Sequence, residues 1–374
     1  MKEKHFQLLN LSVCQSRQMG VKMKIVFVIP DMPGGGTERV VALLANEYCR
    51  RGMEVAILLF AGHETAYPLD DKIEVVSVGN PSGGQTLARI ERLRRMRRYY
   101  AENKDCQIWA FSVMGAVFSV LAARRKRHFF LVSERNDPNQ YDHQRIRNFA
   151  YRFADVIVCQ TPDAVSQFPD KIAKKSVVIP NPVDIGDLQP YEGERDKKIV
   201  AVGRLEPQKN HKLLLRAFAE FVATHKEYVL EIYGKGELEE ELKALARELG
   251  IEKHVQLRGF SGKVKEEINN AAMYVLSSDY EGISNSMLEA IALGVPVIAT
   301  DCPIGGSRMY IEDGVNGLLV PVGDTQAMAA AMKRIADDAE FRESLSRQGR
   351  KLREQNRVEQ IAERFLSLTT GESL

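Results

Sequence analysis

"MKIVFVIPDMPGGGTERVVALLANEY", residues 23–48, decides how the rest of the chain is read. It opens on a β-branched apolar run of strand length and breaks at three consecutive glycines. It resumes with apolar residues at helical spacing. A strand, a turn and an amphipathic helix in that order begin a parallel α/β layer. The alternation then repeats. "EVAILLF" (54–60), "IEVVSVG" (73–79), "IWAFS" (108–112), "FFLVSE" (129–134), "DVIVCQ" (155–160) and "SVVIPNPVD" (176–184) read as further strands with helical patterns between them. A second series starts at "KIVAVGRL" (198–205). It continues through "YVLEIYGKG" (228–236), "VQLRGF" (255–260), "MYVLSS" (273–278), "VPVIATD" (295–301) and "GLLVP" (317–321).

Between the two series, "IGDLQPYEGERDK" (185–197) is polar, aperiodic and contains Pro and Gly, so it reads as a linker. The expected organisation is an extension over 1–22, one domain over 23–184, the linker, and a second domain over 198–355. A last helix over 356–374 is expected to pack back on the first domain. The fold class is α/β: two doubly wound parallel sheets facing a cleft, with ligand loops at the carboxyl ends of the strands.

Composition excludes several classes. The five cysteines are scattered, odd in number and form no CxxC pair, which argues against a disulfide framework or a zinc site and for a reducing cytoplasm. "IWAFSVMGAVFSVLAA" (108–123) is too short to span a bilayer and reads as a strand entering a buried helix. Residues 1–22 have no continuous apolar core and so no secretory signal. Charge is unevenly placed. Residues 1–190 hold 27 basic and 20 acidic side chains, net +7, and the remainder 25 and 30, net −5. "RIERLRRMRRYY" (89–100) and "AARRKRHFF" (122–130) concentrate the excess beside aromatics that look exposed. A solvated helix face accounts for either cluster alone. The two together suit an anionic membrane surface on the inner side of the cell membrane. No nucleic-acid-binding module accompanies them.

Three stretches carry residues suited to chemistry. "PGGGTE" (33–38) places Gly35, Gly36 and Glu38 at a helix start, as either a tight turn capped by Thr37 or an anion site. "VGRLEPQKN" (202–210) places Arg204 and Lys209 after a strand, as a diphosphate pair or as two solvated cations. "EGISNSMLEAIALGV" (281–295) puts Glu289 inside an apolar helix with Glu281 eight positions earlier. Ser284, Asn285 and Ser286 are all good N-caps, and Ser286 with Glu289 makes a capping box. A loop position for Glu281 would let both carboxylates flank a helix N-terminus that favours anions.

Taken together, E-x7-E in "EGISNSMLEAIALGVPVIATD", "VGRLEPQKN" upstream and "GGTERV" near the start resemble the retaining glycosyltransferases of family 4, from Met23 onward. The resemblance implies the GT-B fold and a set of roles. Glu281 would bond the donor-sugar hydroxyls. Amides around Gly282, Ile283, Ser284 and Asn285 would hold sugar and diphosphate, and Glu289 the ribose. Arg204 and Lys209 would hold the diphosphate, and Gly35 and Gly36 would face it. The "RGF" stretch ending at Phe260 would hold the base. Where many relatives carry a histidine near the reacting sugar, "SERNDP" offers Glu134, Arg135 and Asn136, which with Glu38 would make up the acceptor or reacting-sugar region. Met309 stands where many have a glutamate.

The expected function is retaining transfer of a hexose or N-acetylhexosamine from a nucleotide sugar, UDP-linked by family frequency. The acceptor would be a glycan or a polyprenyl-diphosphate-linked saccharide in cell-surface polysaccharide synthesis. No metal and no cofactor are expected. A sugar-nucleotide epimerase of similar fold and a non-catalytic sugar-nucleotide-binding subunit are the competing readings.

Overall fold

A computed structural model describes residues 23–62, 65–79, 85–123 and 128–370. The chain forms two compact units. The first runs to Pro182 and resumes at Val358; the second is the uninterrupted stretch Val183–Arg357.

In the first unit, seven strands form one sheet: β1 (Lys24–Ile29), β2 (Glu54–Leu59), β3 (Glu74–Ser77), β4 (Gln107–Ala110), β5 (Phe130–Ser133), β6 (Val156–Cys159) and β7 (Ser176–Val178). Their order is β3-β2-β1-β4-β5-β6-β7, and every pairing is parallel. The helices that connect them are α1 (Gly36–Arg50), α2 (Gln85–Glu102), α3 (Val113–Ala122), α4 (Gln144–Tyr151), α5 (Pro162–Ser166) and α6 (Asp170–Ala173). A parallel sheet covered on both faces needs strands apolar throughout, which is why β1 and β4 are buried nearly end to end. The apolar stretch 108–123 divides into β4 and α3 at Ser112, whose hydroxyl accepts from the Gly115 amide at 3.0 Å.

One face of this sheet packs an aromatic cluster. Trp109 meets Phe27 and Tyr48 edge-on at 5.6 and 5.5 Å. Phe365 stacks on Trp109 at 5.7 Å. Phe365 belongs to the last helix of the chain, which packs on α1: Tyr48 donates to the Ala362 carbonyl at 2.9 Å, and Arg51 pairs with Glu363 at 2.6 Å. Tyr99 and Tyr100, expected at the surface, are buried in the first unit, because they occupy the inward side of α2 beside Met96. Of the second basic cluster, residues 124–127 lie outside the described residues, as does the extension over 1–22.

The second unit repeats the plan with β8 (Asp196–Val202), β9 (Val229–Tyr233), β10 (Val255–Gly259), β11 (Ala271–Leu276), β12 (Val297–Thr300) and β13 (Leu318–Val320). Their order is β10-β9-β8-β11-β12-β13, again all parallel. Its helices are α7 (His211–Val222), α8 (Glu239–Glu248), α9 (Val264–Asn269), α10 (Asn285–Ala292), α11 (Thr325–Asp337) and α12 (Ala339–Gly349). The terminal helix of the first unit, α13, is Val358–Thr370. Residues 185–197 are not a free linker. Ile185 is buried in the second unit's core, Asn269 bonds both the Gln189 carbonyl and the Tyr191 amide, and β8 already begins at Asp196. Polar, aperiodic sequence here reflects backbone tied by side-chain hydrogen bonds rather than slack chain.

Each strand order reverses once, between β1 and β4 in the first unit and between β8 and β11 in the second. Loops leaving the carboxyl ends of such a strand pair diverge and open a ligand crevice.

Candidate active site

The loop after β8 carries "GRLEPQK" and the loop after β11 carries "SSDYEGIS", so both stand at the second unit's switch point. They are stitched together. Gln208 accepts from the Asp279 amide at 2.9 Å through its carbonyl and donates its side-chain amide to the Tyr280 carbonyl at 3.0 Å. Asn210 donates to the Asp279 carboxylate at 2.7 Å, and Ser277 to the Lys209 carbonyl at 2.8 Å. Thr300, at the end of β12, holds the Ser278 carbonyl at 2.6 Å. Across this seam the Lys209 ammonium contacts the Glu281 carboxylate in a largely buried ion pair, to which the Ser278 hydroxyl also donates. Of the residues read from sequence, Lys209 and Glu281 therefore meet directly. Arg204 leaves the same loop into solvent, where its guanidinium pairs with Glu206 at 2.9 Å.

Close backbone approach fixes the loop after β8 from below. A Cβ on Gly234 would stand 1.9 Å from the Gly203 carbonyl oxygen, and one on Gly236 2.3 Å from that of Leu205. The glycines of "YGKG" (233–236) are thus required where β9 ends, and that glycine spacing was the available signal for them. His211 follows Lys209 at the start of α7 and is only 3% exposed. Burial, then the neighbouring Lys209 charge, pushes its imidazole down to about 4. It is neutral at pH 7 and adds no charge beside Lys209.

α10 begins two residues earlier than a Ser286–Glu289 capping box requires. Ser284 is the N-cap, its hydroxyl accepting from the Met287 amide at 3.4 Å. The Ser286 hydroxyl instead bonds Tyr274 at 2.7 Å and Ser284 at 3.2 Å. Glu289 consequently sits in the second turn, 2% exposed, and is not the partner of a capping box. Gly282 and Ile283 are buried, and Asn285 is partly exposed at the first helical position. The loop after β12 closes against them. The Glu281 amide donates to the Pro303 carbonyl at 2.9 Å, the Ile304 amide donates to the Glu281 carbonyl at 3.3 Å, and a Cβ on Gly306 would stand 1.7 Å from the Gly282 carbonyl oxygen. Phe260, half-exposed, follows β10, whose last residue Gly259 turns the chain at φ 69°. Met309 is 40% exposed.

In the first unit, Gly34 adopts φ 123°, and Tyr67 holds the glycine loop by donating to the Gly34 and Gly35 carbonyls at 3.0 and 3.1 Å. α1 starts at Gly36 with Gly35 as N-cap, so Thr37 lies inside the helix and is not the cap. The Glu38 carboxyl folds back over the loop: a Cβ on Gly35 would meet its Oε2 at 2.0 Å. Gly35, Gly36 and Glu38 are therefore brought together at a helix start, where a carboxylate is favoured.

Glu134 is turned into the core, contrary to a place beside substrate. Its carboxyl accepts from Tyr151 at 2.8 Å, and burial holds its pKa above the usual range against the pull of that bond and of Arg147. Arg135 does face the strand ends. Its guanidinium reaches the Asn181 side-chain oxygen and lies 5.7 Å from the Phe111 ring, and Gln160 donates to the same oxygen at 2.5 Å. Asn136 accepts from the Asp137 amide at 2.9 Å. Asn181 and Gln160, after β7 and β6, were not legible as members of this group, because nothing in their local sequence marks them.

Comparison with known proteins agrees with this layout. Residues 34–187 match the model of "Glycosyltransferase Family 4" and residues 189–352 that of "Glycosyl transferases group 1". The chain is 26% identical over 358 residues to a Campylobacter jejuni alpha-1,4-N-acetyl-D-galactosaminyltransferase acting on an undecaprenol-diphosphate-linked saccharide, covering 92% of this chain and 98% of that one. It is 27% identical to the lipopolysaccharide core biosynthesis glycosyltransferase LpsE of Rhizobium meliloti, over 84% of this chain and 89% of that one. Among solved structures, Anabaena HepE in complex with UDP-glucose superposes with a TM-score of 0.80 at 21% identity, covering 93% of this chain and all of the other. Staphylococcus aureus TarM does so with a TM-score of 0.79 at 15% identity, over 93% and 99%. These likenesses carry the fold, and the two family matches account for both halves of the chain. The chain belongs to the family 4 glycosyltransferases and has their GT-B fold.

Proposed function

We propose that the chain transfers a hexose or N-acetylhexosamine from a UDP-sugar, with retention at the anomeric carbon and without a metal, to a polyprenyl-diphosphate-linked saccharide in surface polysaccharide synthesis. The observation that carries this reading is the buried Lys209–Glu281 pair beside the N-terminus of α10, at the switch point of the second sheet. A diphosphate arriving there competes with Glu281 for the Lys209 ammonium. Glu281, released, accepts from the sugar hydroxyls. Arg204 has only an exposed pair with Glu206 to give up, a loss of under about 1 kcal/mol, before its fork turns to phosphate.

In the transfer, an acceptor hydroxyl forms its O–C1 bond on the face from which the diphosphate leaves. The C1–O bond breaks, its electrons remain on the phosphate oxygen, and the hydroxyl proton passes to that oxygen. Arg204, Lys209 and the helix start stabilise the charge that grows there. Glu289, in the second turn of α10, is assigned the ribose hydroxyls, and the chain around Phe260 the base. UDP is supported by the nucleotide in the HepE complex, and the acceptor class by the substrate named for the Campylobacter relative. We place the reaction at the inner face of the cell membrane, where such an acceptor resides.

A panel of UDP-hexoses and UDP-N-acetylhexosamines with a lipid-linked oligosaccharide tests the proposal. Expected are a one-sugar mass gain, an α-linkage from an α-linked donor, and turnover that persists in EDTA. Inversion of the linkage, or activity lost in EDTA and restored by Mn²⁺, would overturn the corresponding part.

A further inference from the structure

His211 stands at the first position of α7, buried beside the loop after β8, and takes no part in the transfer. Among the described residues, neither of its ring nitrogens has a hydrogen-bond partner. Polar atoms orphaned at this depth are rare, because each has given up water and gained nothing for it. What faces the ring is the backbone that carries Arg204. Burial and then the Lys209 charge push the imidazole down to about 4, while backbone groups of Arg204 and Gly203 pull it up. Only acceptors pull in that direction, so the two carbonyls point at the ring without bonding it. The same stretch is held on its other sides. The Gly203 amide donates to the Tyr233 carbonyl at 2.9 Å, and the Leu205 amide to the Lys235 carbonyl at 3.0 Å. The Lys209 stem crosses Gly203, where a Cβ would meet its Cδ at 3.0 Å. Arg204 closes a tight turn with Glu206: its carbonyl accepts from the Glu206 amide at 2.9 Å, and its guanidinium pairs with the Glu206 carboxylate at 2.9 Å.

We propose that His211 is a positioning residue for diphosphate recognition, its ring N–H bonding the Gly203–Arg204 carbonyls once Arg204 has left Glu206 for phosphate. The inference rests on the proposed function, which brings the diphosphate to this loop, and adds the residue that favours the ligand-bound arrangement. The neutral imidazole carries one N–H, enough for one such bond. A ligand shifts a loop only through interactions that differ between its two arrangements. Here the difference is a bond missing at rest and made on binding. The Glu206 turn and the His211 ring compete for the Arg204 carbonyl. While Arg204 stays paired with Glu206, the turn keeps that carbonyl off the ring. An unbonded imidazole destabilises the empty loop, and a nucleotide that draws Arg204 away lets it bond.

Calorimetric titration of UDP into the full chain, run beside thermal unfolding, tests it. His211→Phe keeps a flat ring and removes the N–H, and His211→Leu replaces it if the larger ring does not fit. Expected is UDP affinity lowered about fivefold or more at an unchanged or higher melting temperature, since no orphaned donor is buried any longer. A purely structural histidine would give the reverse, a lower melting temperature at unchanged affinity. His211→Asn and His211→Gln place an amide donor near Nδ1 and Nε2 respectively, and one of them should recover most of the affinity. In an Arg204→Ala background His211→Phe should change affinity by less than about twofold, because His211 acts through Arg204. Equal UDP affinity in wild type and His211→Phe would sink the inference. So would an equal loss with and without Arg204, or failure of both amides to recover binding. Wild type that binds no UDP would instead remove the proposed function, and this inference with it.

Discussion

The ammonium of Lys209 is bonded to the carboxylate of Glu281, 72 residues further along the chain. The pair joins the two loops of the switch point before any ligand arrives. Removing one partner leaves a charge in a site where both side chains are 14% exposed. Lys209→Met is expected to destabilise by about 3 kcal/mol, and Lys209→Met with Glu281→Gln by much less, because breaking half of a buried pair costs more than replacing both members. Urea unfolding of the two variants measures this. Both should lose UDP-sugar turnover, so stability and activity separate in the double variant.

Asn210 caps α7 from a left-handed backbone (φ 42°) and also donates to Asp279. Asn210→Gly keeps the backbone and loses both side-chain bonds. Asn210→Ala adds left-handed strain of about 1 kcal/mol. The expected order of melting temperature is wild type, Gly, Ala, with the nucleotide-sugar KM raised in both variants, since Lys209 immediately precedes the residue that is altered.

Gly306 lies where a Cβ would strike the Gly282 carbonyl. Gly306→Ala is expected to push the loop after β12 off the start of α10 and to weaken UDP-sugar binding at least tenfold, read by calorimetry. Gly262 meets nothing within 4 Å, so Gly262→Ala is the silent control.

His211 is expected to make the fold acid-sensitive. Its folded value near 4 lies below the ordinary 6.5, so the unfolded chain binds its proton first. Stability is full above pH 6.5 and falls as pH drops towards 4, by up to about 3 kcal/mol. Glu134 works the other way: its pKa is raised by burial, so its contribution is lost as pH rises above the ordinary carboxyl value. Glu134→Gln, which can still accept from Tyr151, should flatten that loss and keep activity within about twofold, because the side chain faces the core. Melting curves of wild type, His211→Asn and Glu134→Gln from pH 4 to 8 separate the two effects.

Much of the fold was legible, and for a physical reason. A strand buried on both faces must be apolar throughout, so "KIVFVI", "VIVC" and "AAMYVL" announce themselves within a few residues. What stayed hidden depends on partners distant in sequence. Nothing local says that Gln208 and Asn210 will bond residues near 280, or that Glu134 turns inward to Tyr151 while its neighbour Arg135 turns to Asn181. Ser284, Asn285 and Ser286 are chemically equivalent caps, and Tyr274, by engaging the Ser286 hydroxyl, leaves Ser284 in that role. The segment 185–197 looked slack because hydrogen-bonded irregular backbone and unstructured backbone share one composition.

The return of α13 to the first unit has a consequence for synthesis. The second unit is an insertion, complete once Arg357 has left the ribosome. The first unit, though translated earlier, lacks Ile361, Ala362 and Phe365 from its core until α13 emerges. Vectorial synthesis ordinarily lets the N-terminal domain finish first; here the order is inverted, and the half-made first sheet waits with the seat of Phe365 beside Trp109 open. A truncation that removes α13 from Val358 onward would therefore damage the oldest part of the nascent protein and leave the more recently made unit whole.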